Sequence, residues 1–173
     1  MPGDRYFVTC SVMDIEQLKI DVDFMIQALK EAEAAAEEGE VPVGCVIVAE
    51  ERRNKKKSGN GRIIARAHNL TETLKDPTAH AEMQAITSAS AYMGGKYLDK
   101  CTLYVTVEPC PMCAAALNWA QVGRVVYGCA DPKRGASRFS PSLYHPKTKV
   151  DGGILDKECS KIMTDFFSRK RKR

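Results

Sequence analysis

Four side chains in two short segments carry residue types that could do chemistry together. His80 and Glu82 form a His-x-Glu pair, and Cys110 and Cys113 follow Pro109 in a Pro-Cys-x-x-Cys run thirty residues further on. One imidazole and two thiolates suit zinc, and three protein ligands leave the fourth tetrahedral position for water or substrate. Glu82 is then a spare carboxylate. It sits two residues from His80, so it does not stack on it along a helix face, and it is read as the group that moves protons for that water. Cys110 and Cys113 share a helix face, and the prolines flanking Cys110 place it at a helix start, where proline's missing N–H costs nothing. The positive end of a helix dipole lowers a thiol's pKa there and favours the metal-binding thiolate. Asp76-Pro77-Thr78-Ala79 reads as a second helix start just before His80. Two helix N-termini are therefore expected to converge on one metal.

Each half of the pattern is weak alone. A lone Cys-x-x-Cys is also a redox pair or half of a closed structural site. A closed site would need a fourth protein ligand, for which Cys45, Cys101 and Cys129 are the candidates. Each lies in or beside an apolar run, where a free cysteine behaves as a small buried hydrophobe. His68 and His145 lack ligand spacing, and His145 before Pro146 reads as loop.

The elements that must position these residues are legible as periodicities. Val22, Met25, Leu29, Ala32 and Ala36 repeat at helical spacing ahead of Gly39, a C-cap. Val41 to Ala49 is a buried-strand pattern. Glu50 to Gly61 is a charged turn, and Arg62 to Ala67 is its hairpin return. A helix is expected from Thr78 to Tyr92, a strand from Thr102 to Val107, a helix from the cysteines to about Gln121 and a strand from Arg124 to Gly128. Lys133 to Lys149 is loop-like, and a last helix runs from Leu155 or Asp156 to Arg169. Alternating strands and helices imply an α/β fold, a three-layer α/β/α sandwich on a mixed five-stranded sheet. Right-handed crossovers put both metal-bearing helices on one face, with their N-termini at strand C-terminal ends, where α/β sites sit.

The chain has 173 residues, which is read as a single domain. Residues 1–12 read as a disordered extension and residues 168–173 as a basic tail. The formal net charge of +4 is misleading, because Arg169 to Arg173 alone contribute +5 and leave the rest near neutral. Such a tail is a solvated end or a contact for phosphates. The first residues lack a signal-peptide pattern and no run of about eighteen apolar residues suggests a membrane span. Seven cysteines without framework spacing suggest reduced thiols and a cytoplasmic setting.

The His-x-Glu and Pro-Cys-x-x-Cys signature is that of the zinc nucleobase deaminases. With Glu40-Val41-Pro42-Val43-Gly44, Asp76 to Glu82, Leu103 to Cys110 and Arg124 to Gly128, the chain resembles the cytidine-deaminase-like superfamily over roughly residues 20–171. Within it, the likeness is to bacterial tRNA adenosine deaminases. That resemblance implies a homodimer with one Zn2+ per subunit that converts adenosine to inosine at the wobble position of a tRNA anticodon loop. It also implies His80, Cys110 and Cys113 as ligands and Glu82 as proton shuttle. Asn69 matches a position near the nucleoside, Asp131 one in a loop that contacts the nucleotide backbone, and Phe167 with the basic residues after it, Arg171 included, the helix that meets RNA. Two segments depart from the family: Arg52 to Gly59 is longer and more basic, and Asp131 to Arg138 is distinctive. Two rival readings share the metal motif. One is a deaminase of free guanine or cytosine. The other is a non-catalytic, zinc-stabilised RNA-binding module, for which Glu82 would have no use.

Overall fold

The computed structural model describes residues 12–50, 52–53, 56–57 and 61–171. Residues 1–11 of the expected extension, parts of the charged turn, and the last two residues of the basic tail lie outside them. Val12, counted with that extension, instead opens the first helix. Helix α1 (Val12–Glu37) is followed by β1 (Gly44–Ala49), a two-residue ladder β2 (Arg52–Arg53) and β3 (Lys56–Lys57), and β4 (Arg62–His68). Then come α2 (Thr71–Leu74), α3 (Ala81–Met93), β5 (Cys101–Val107), α4 (Pro111–Trp119), β6 (Arg124–Cys129), β7 (Lys149–Gly152) and α5 (Asp156–Lys170).

The main sheet has five strands in the order β4-β1-β5-β6-β7. Strand β1 is antiparallel to both β4 and β5, while β5, β6 and β7 run parallel, so the sheet is mixed. Because β1 opposes both neighbours, β4 and β5 point the same way. Each leads to one metal-bearing helix, and both helices therefore begin at the same edge of the sheet. The strands alternate between two cores. Cys45, Ile47, Leu103 and Val105 pack with Ala81, Ala85, Ala89 and Leu117 of α3 and α4. Val46, Val48, Tyr104 and Val126 pack with Met25 and Ala28 of α1 and Cys159 of α5. The three-layer sandwich is thus α3 and α4, the sheet, and α1 and α5, with both metal-bearing helices on one face as expected.

Helix α1 buries a face shifted from the periodic reading. Met25, Ala28, Ala32 and Ala35 are fully buried, whereas Leu29 and Ala36 are only partly so. The cause is a close approach of backbones. A Cβ built on Gly44 would lie 2.3 Å from both the Ala28 carbonyl oxygen and the Ala32 nitrogen, so only small side chains fit where α1 crosses β1. Hydrophobic periodicity favours large residues and misses such a seam. Gly39 does terminate α1, at φ +79°, in the left-handed region.

Three other expectations are corrected. The helix after Asp76 begins at Ala81 and not at Thr78, because the Asp76 carboxylate accepts hydrogen bonds from the Thr78 N–H and hydroxyl and holds a turn. The cysteine helix stops at Trp119, short of Gln121. The loop-like stretch ends in β7, which has no periodic signal because this short edge strand is exposed at all four residues. Buried Asp21 on α1 ties the layers together. It accepts a bidentate pair of bonds from Arg124 at 2.7 and 2.8 Å and a bond from the Tyr104 hydroxyl, while Arg124 also reaches Asp151 on β7.

Candidate active site

His80 and Cys110 occupy equivalent places. Each is the N-cap residue of its helix in extended backbone, His80 at φ −71° and ψ 156°, Cys110 at φ −70° and ψ 168°. An N-cap side chain usually bonds the free N–H groups of the first turn. Neither does so here, so imidazole and thiol are both left to point at one another. Pro111 occupies the first helical position of α4, where it loses no hydrogen bond, and Cys113 two residues on adds its thiol from the first turn.

The three donor atoms lie within 4.8 Å of one another. His80 Nδ1 is 3.6 Å from Cys110 Sγ and 3.5 Å from Cys113 Sγ. Zinc bonded tetrahedrally at about 2.1 Å to nitrogen and about 2.3 Å to sulfur would separate those atoms by about 3.6 Å. The donor set therefore fits the ion in both softness and spacing. No fourth protein donor joins the group among the described residues. Cys45, Cys101 and Cys129 are buried in the cores, as their apolar surroundings imply, and none of them joins the donor group, although Cys129 lines the same cleft.

Protonation matches this arrangement. The Cys110 thiol is lowered to about 4, chiefly by a hydrogen bond from Cys113, with His80 beside it contributing. It is a thiolate at neutral pH, the form a metal takes. The hydrogen bond with Cys110 pushes Cys113 up, and the same partner raises His80 against the opposing effect of burial. Glu82, in the first turn of α3, is only 3% exposed. Burial raises its carboxyl above the ordinary range, which suits a group that must hold a proton and release it near neutral pH.

A cleft of about 740 Å³ opens over these groups. Asn69, Asp131 and Phe167 line it together with His80, Glu82 and Cys110, so residues from widely separated parts of the chain share one concavity. Phe167 is 43% exposed there. Arg171 does not line the cleft; it is the exposed residue that ends α5.

Two further residues organise the cleft, and neither is among the site residues that the motifs single out. Glu40 is fully buried, and its carboxylate accepts bonds from the Asn69 amide, the Thr71 hydroxyl and the N–H groups of Glu72 and Thr73. Burial alone would raise its pKa, but the hydrogen bonds from Thr73, Glu72 and Thr71 outweigh this and the net shift is downward. Glu108 is the counterpart on the other side. It accepts bonds from the N–H groups of Asp131 at 3.0 Å and Ser137 at 2.8 Å. The Ala136 N–H reaches the Pro109 carbonyl, so the distinctive loop is fastened directly beside Cys110. The signal that could have found them is a carboxylate at each end of an apolar strand run, Glu40 before β1 and Glu108 after β5, where a charge is costly unless it is paired.

Comparison with known proteins agrees with this geometry. Residues 18–129 match the family described as the cytidine and deoxycytidylate deaminase zinc-binding region. The chain is similar to the tRNA-specific adenosine deaminase of Bacillus subtilis (strain 168), with 43% identity over 155 residues, which cover 87% of this chain and 90% of that protein. A solved structure from work on A-to-I editing by tRNA:A34 deaminases at the wobble position of transfer RNA superposes with a TM-score of 0.71 at 40% identity, over 81% of this chain and 98% of the other. A guanine deaminase from Bacillus subtilis gives a TM-score of 0.54 at 38% identity over 62% of this chain and 63% of its own.

Proposed function

The chain belongs to the cytidine and deoxycytidylate deaminase family, among the tRNA-specific adenosine deaminases, and on that premise we propose that it converts adenosine to inosine at the wobble position of a tRNA anticodon. The observation that carries the reaction class is one imidazole and two thiols at zinc spacing beside a buried, unligated carboxylate. His80 Nδ1, Cys110 Sγ and Cys113 Sγ would hold one zinc per subunit. When bound, zinc supplies the Lewis acidity that makes water a nucleophile near neutral pH.

Glu82 does the proton work. It takes a proton from the attacking water, delivers it to ring nitrogen N1, and passes the second to the departing amine. Adenosine and water thereby become inosine and ammonia. Its burial keeps bulk water from competing for that proton. The target base must leave its stack to enter the cleft, which costs less in an anticodon loop than in a duplex. Phe167 offers that base, or its neighbour, a stacking surface. Asn69 meets the nucleoside, and Asp131 and its braced loop meet the nucleotide backbone. Arg171 and the basic residues around it reach phosphates beyond the cleft. Free guanine, the alternative substrate, would need none of these outer features.

Incubation with an anticodon stem-loop bearing A34, and separately with guanine, tests the proposal. Inosine in the stem-loop is expected, and activity on guanine alone would overturn it. Deleting Arg169 to Arg173 is expected to weaken stem-loop binding and flatten its salt dependence, since fewer phosphates are neutralised.

The working form is a homodimer in the cytoplasm, where tRNA is met. No described helix is long and apolar enough to cross a membrane. Supporting self-association, Trp119 at the end of α4 is 85% exposed and Tyr92 at the end of α3 is 53% exposed, on the same layer of the sandwich. An exposed tryptophan of this kind is typical of a buried interface anchor. Trp119→Glu is expected to shift sedimentation from dimer to monomer; a wild-type chain already sedimenting as a monomer would remove the dimer.

A further inference from the structure

The amide of Asn69 is not free to choose how it faces a ligand. Its Nδ2 donates to Glu40 Oε2 at 3.1 Å and to Thr71 Oγ1 at 3.0 Å, which uses both of its hydrogens. Thr71 spends its single hydroxyl hydrogen on Glu40 Oε2 at 3.3 Å and so can only accept from Asn69. Glu40 is itself immobilised. The Glu72 N–H binds Oε2 at 3.1 Å and the Thr73 N–H binds Oε1 at 2.7 Å. The turn that ends α1 aims this side chain inward, with the Glu40 N–H bonded to the Ala35 carbonyl. Asn69 is also held through its backbone, N–H to the Val43 carbonyl. Turning the amide over would set its carbonyl oxygen against a buried carboxylate, acceptor against acceptor, and leave that carboxylate short of a donor.

We propose that Glu40 is a positioning residue for the nucleoside site: it locks Asn69 so that the carbonyl oxygen, Oδ1, is the only group the amide offers the cleft, and Asn69 therefore selects a hydroxyl or N–H donor on the bound nucleoside. This rests on the reading of the cleft as a nucleoside site. Position 40 requires a carboxylate because both of its oxygens accept, Oε2 from Asn69, Thr71 and Glu72 and Oε1 from Thr73. Glutamine has the same shape but puts a donor where one of those oxygens was.

The test exchanges donor and acceptor across the pair. Glu40→Gln and Asn69→Asp are each expected to lower kcat/KM on an A34 stem-loop by roughly tenfold, the scale of one buried hydrogen bond left unmet. The double variant restores the bond between positions 40 and 69, now with the amide introduced at position 40 donating and the carboxylate introduced at position 69 accepting, and still presents an oxygen to the cleft, while the Glu72 N–H loses its acceptor. It is expected to be at least roughly threefold more active than either single variant, with zinc content and thermal midpoint close to wild type in the soluble variants. A purely structural role for Glu40 predicts losses that multiply in the double variant. That result, or a Glu40→Gln enzyme as active as wild type, would overturn the proposal. Should Glu40→Gln not fold, Thr71→Val keeps the carboxylate and removes the hydroxyl that takes the second Nδ2 hydrogen. A loss of about threefold is then expected, and an unchanged kcat/KM counts against the lock. A wild-type enzyme inert on the stem-loop would instead sink the functional reading itself.

Discussion

Glu82→Gln is expected to lower turnover by about 10²–10⁴, the range of a lost general acid–base group, while zinc content and folding persist. Glutamine keeps the volume and can still hydrogen-bond, but it cannot carry a proton from water to N1 and then to the amine. The expectation is sharp because glutamine can keep the hydrogen bond that the Glu82 side chain makes with Cys113. Glu82 sits outside the set of three donor atoms that suit the metal, in the first turn of α3, and its burial costs stability rather than adding to it. The variant should therefore be at least as stable as the wild type. Single-turnover assays on the stem-loop, alongside metal analysis and a thermal melt, decide it. Loss of zinc together with activity would show that Glu82 is a ligand and not a shuttle.

Cys113→Ser is expected to remove the metal itself. A wild-type chain should hold about one zinc through dialysis against a weak chelator, and the serine variant should lose most of it. Serine offers a hard hydroxyl that stays protonated at neutral pH, where zinc needs a soft thiolate. Cys113 is fully buried in the first turn of α4, so a substitute donor from elsewhere in the protein would have to displace the helix to take its place. Because metal binding couples to folding, the thermal midpoint should drop with the zinc. Elemental analysis and calorimetry read both. Full retention of zinc would mean that the third ligand lies elsewhere.

Much of the architecture is readable because it obeys local rules. Helices and strands show in their periods, and the prolines around Cys110 announce a helix start that the structure has. At two of the departures from those expectations, the deciding contact is distant in sequence. Ala28 and Ala32 are buried by Gly44, which lets the β1 backbone touch α1. Strand β7 exists because β6 offers it a parallel edge, not because Lys149 to Gly152 look like a strand. The helix boundaries are decided locally: α3 starts late because Asp76 prefers its own turn, and α4 stops before Gln121, which lies in the left-handed region at φ 51°.

The sequence alone determined the chemical make-up of the site: which three side chains suit a metal, and which carboxylate lies beside them. Residue type and short spacing are sufficient for that, since ligand softness and helix geometry act over a few residues. The tertiary structure alone decided that His80 Nδ1 stands within 3.6 Å of both sulfurs, and that Glu40 and Glu108 fasten the two sides of the cleft. Those facts depend on a sheet in which β1 runs against both neighbours, and on buried carboxylates that find their donors roughly thirty residues away. A hydrogen bond leaves no periodicity behind, so nothing in the linear pattern records it.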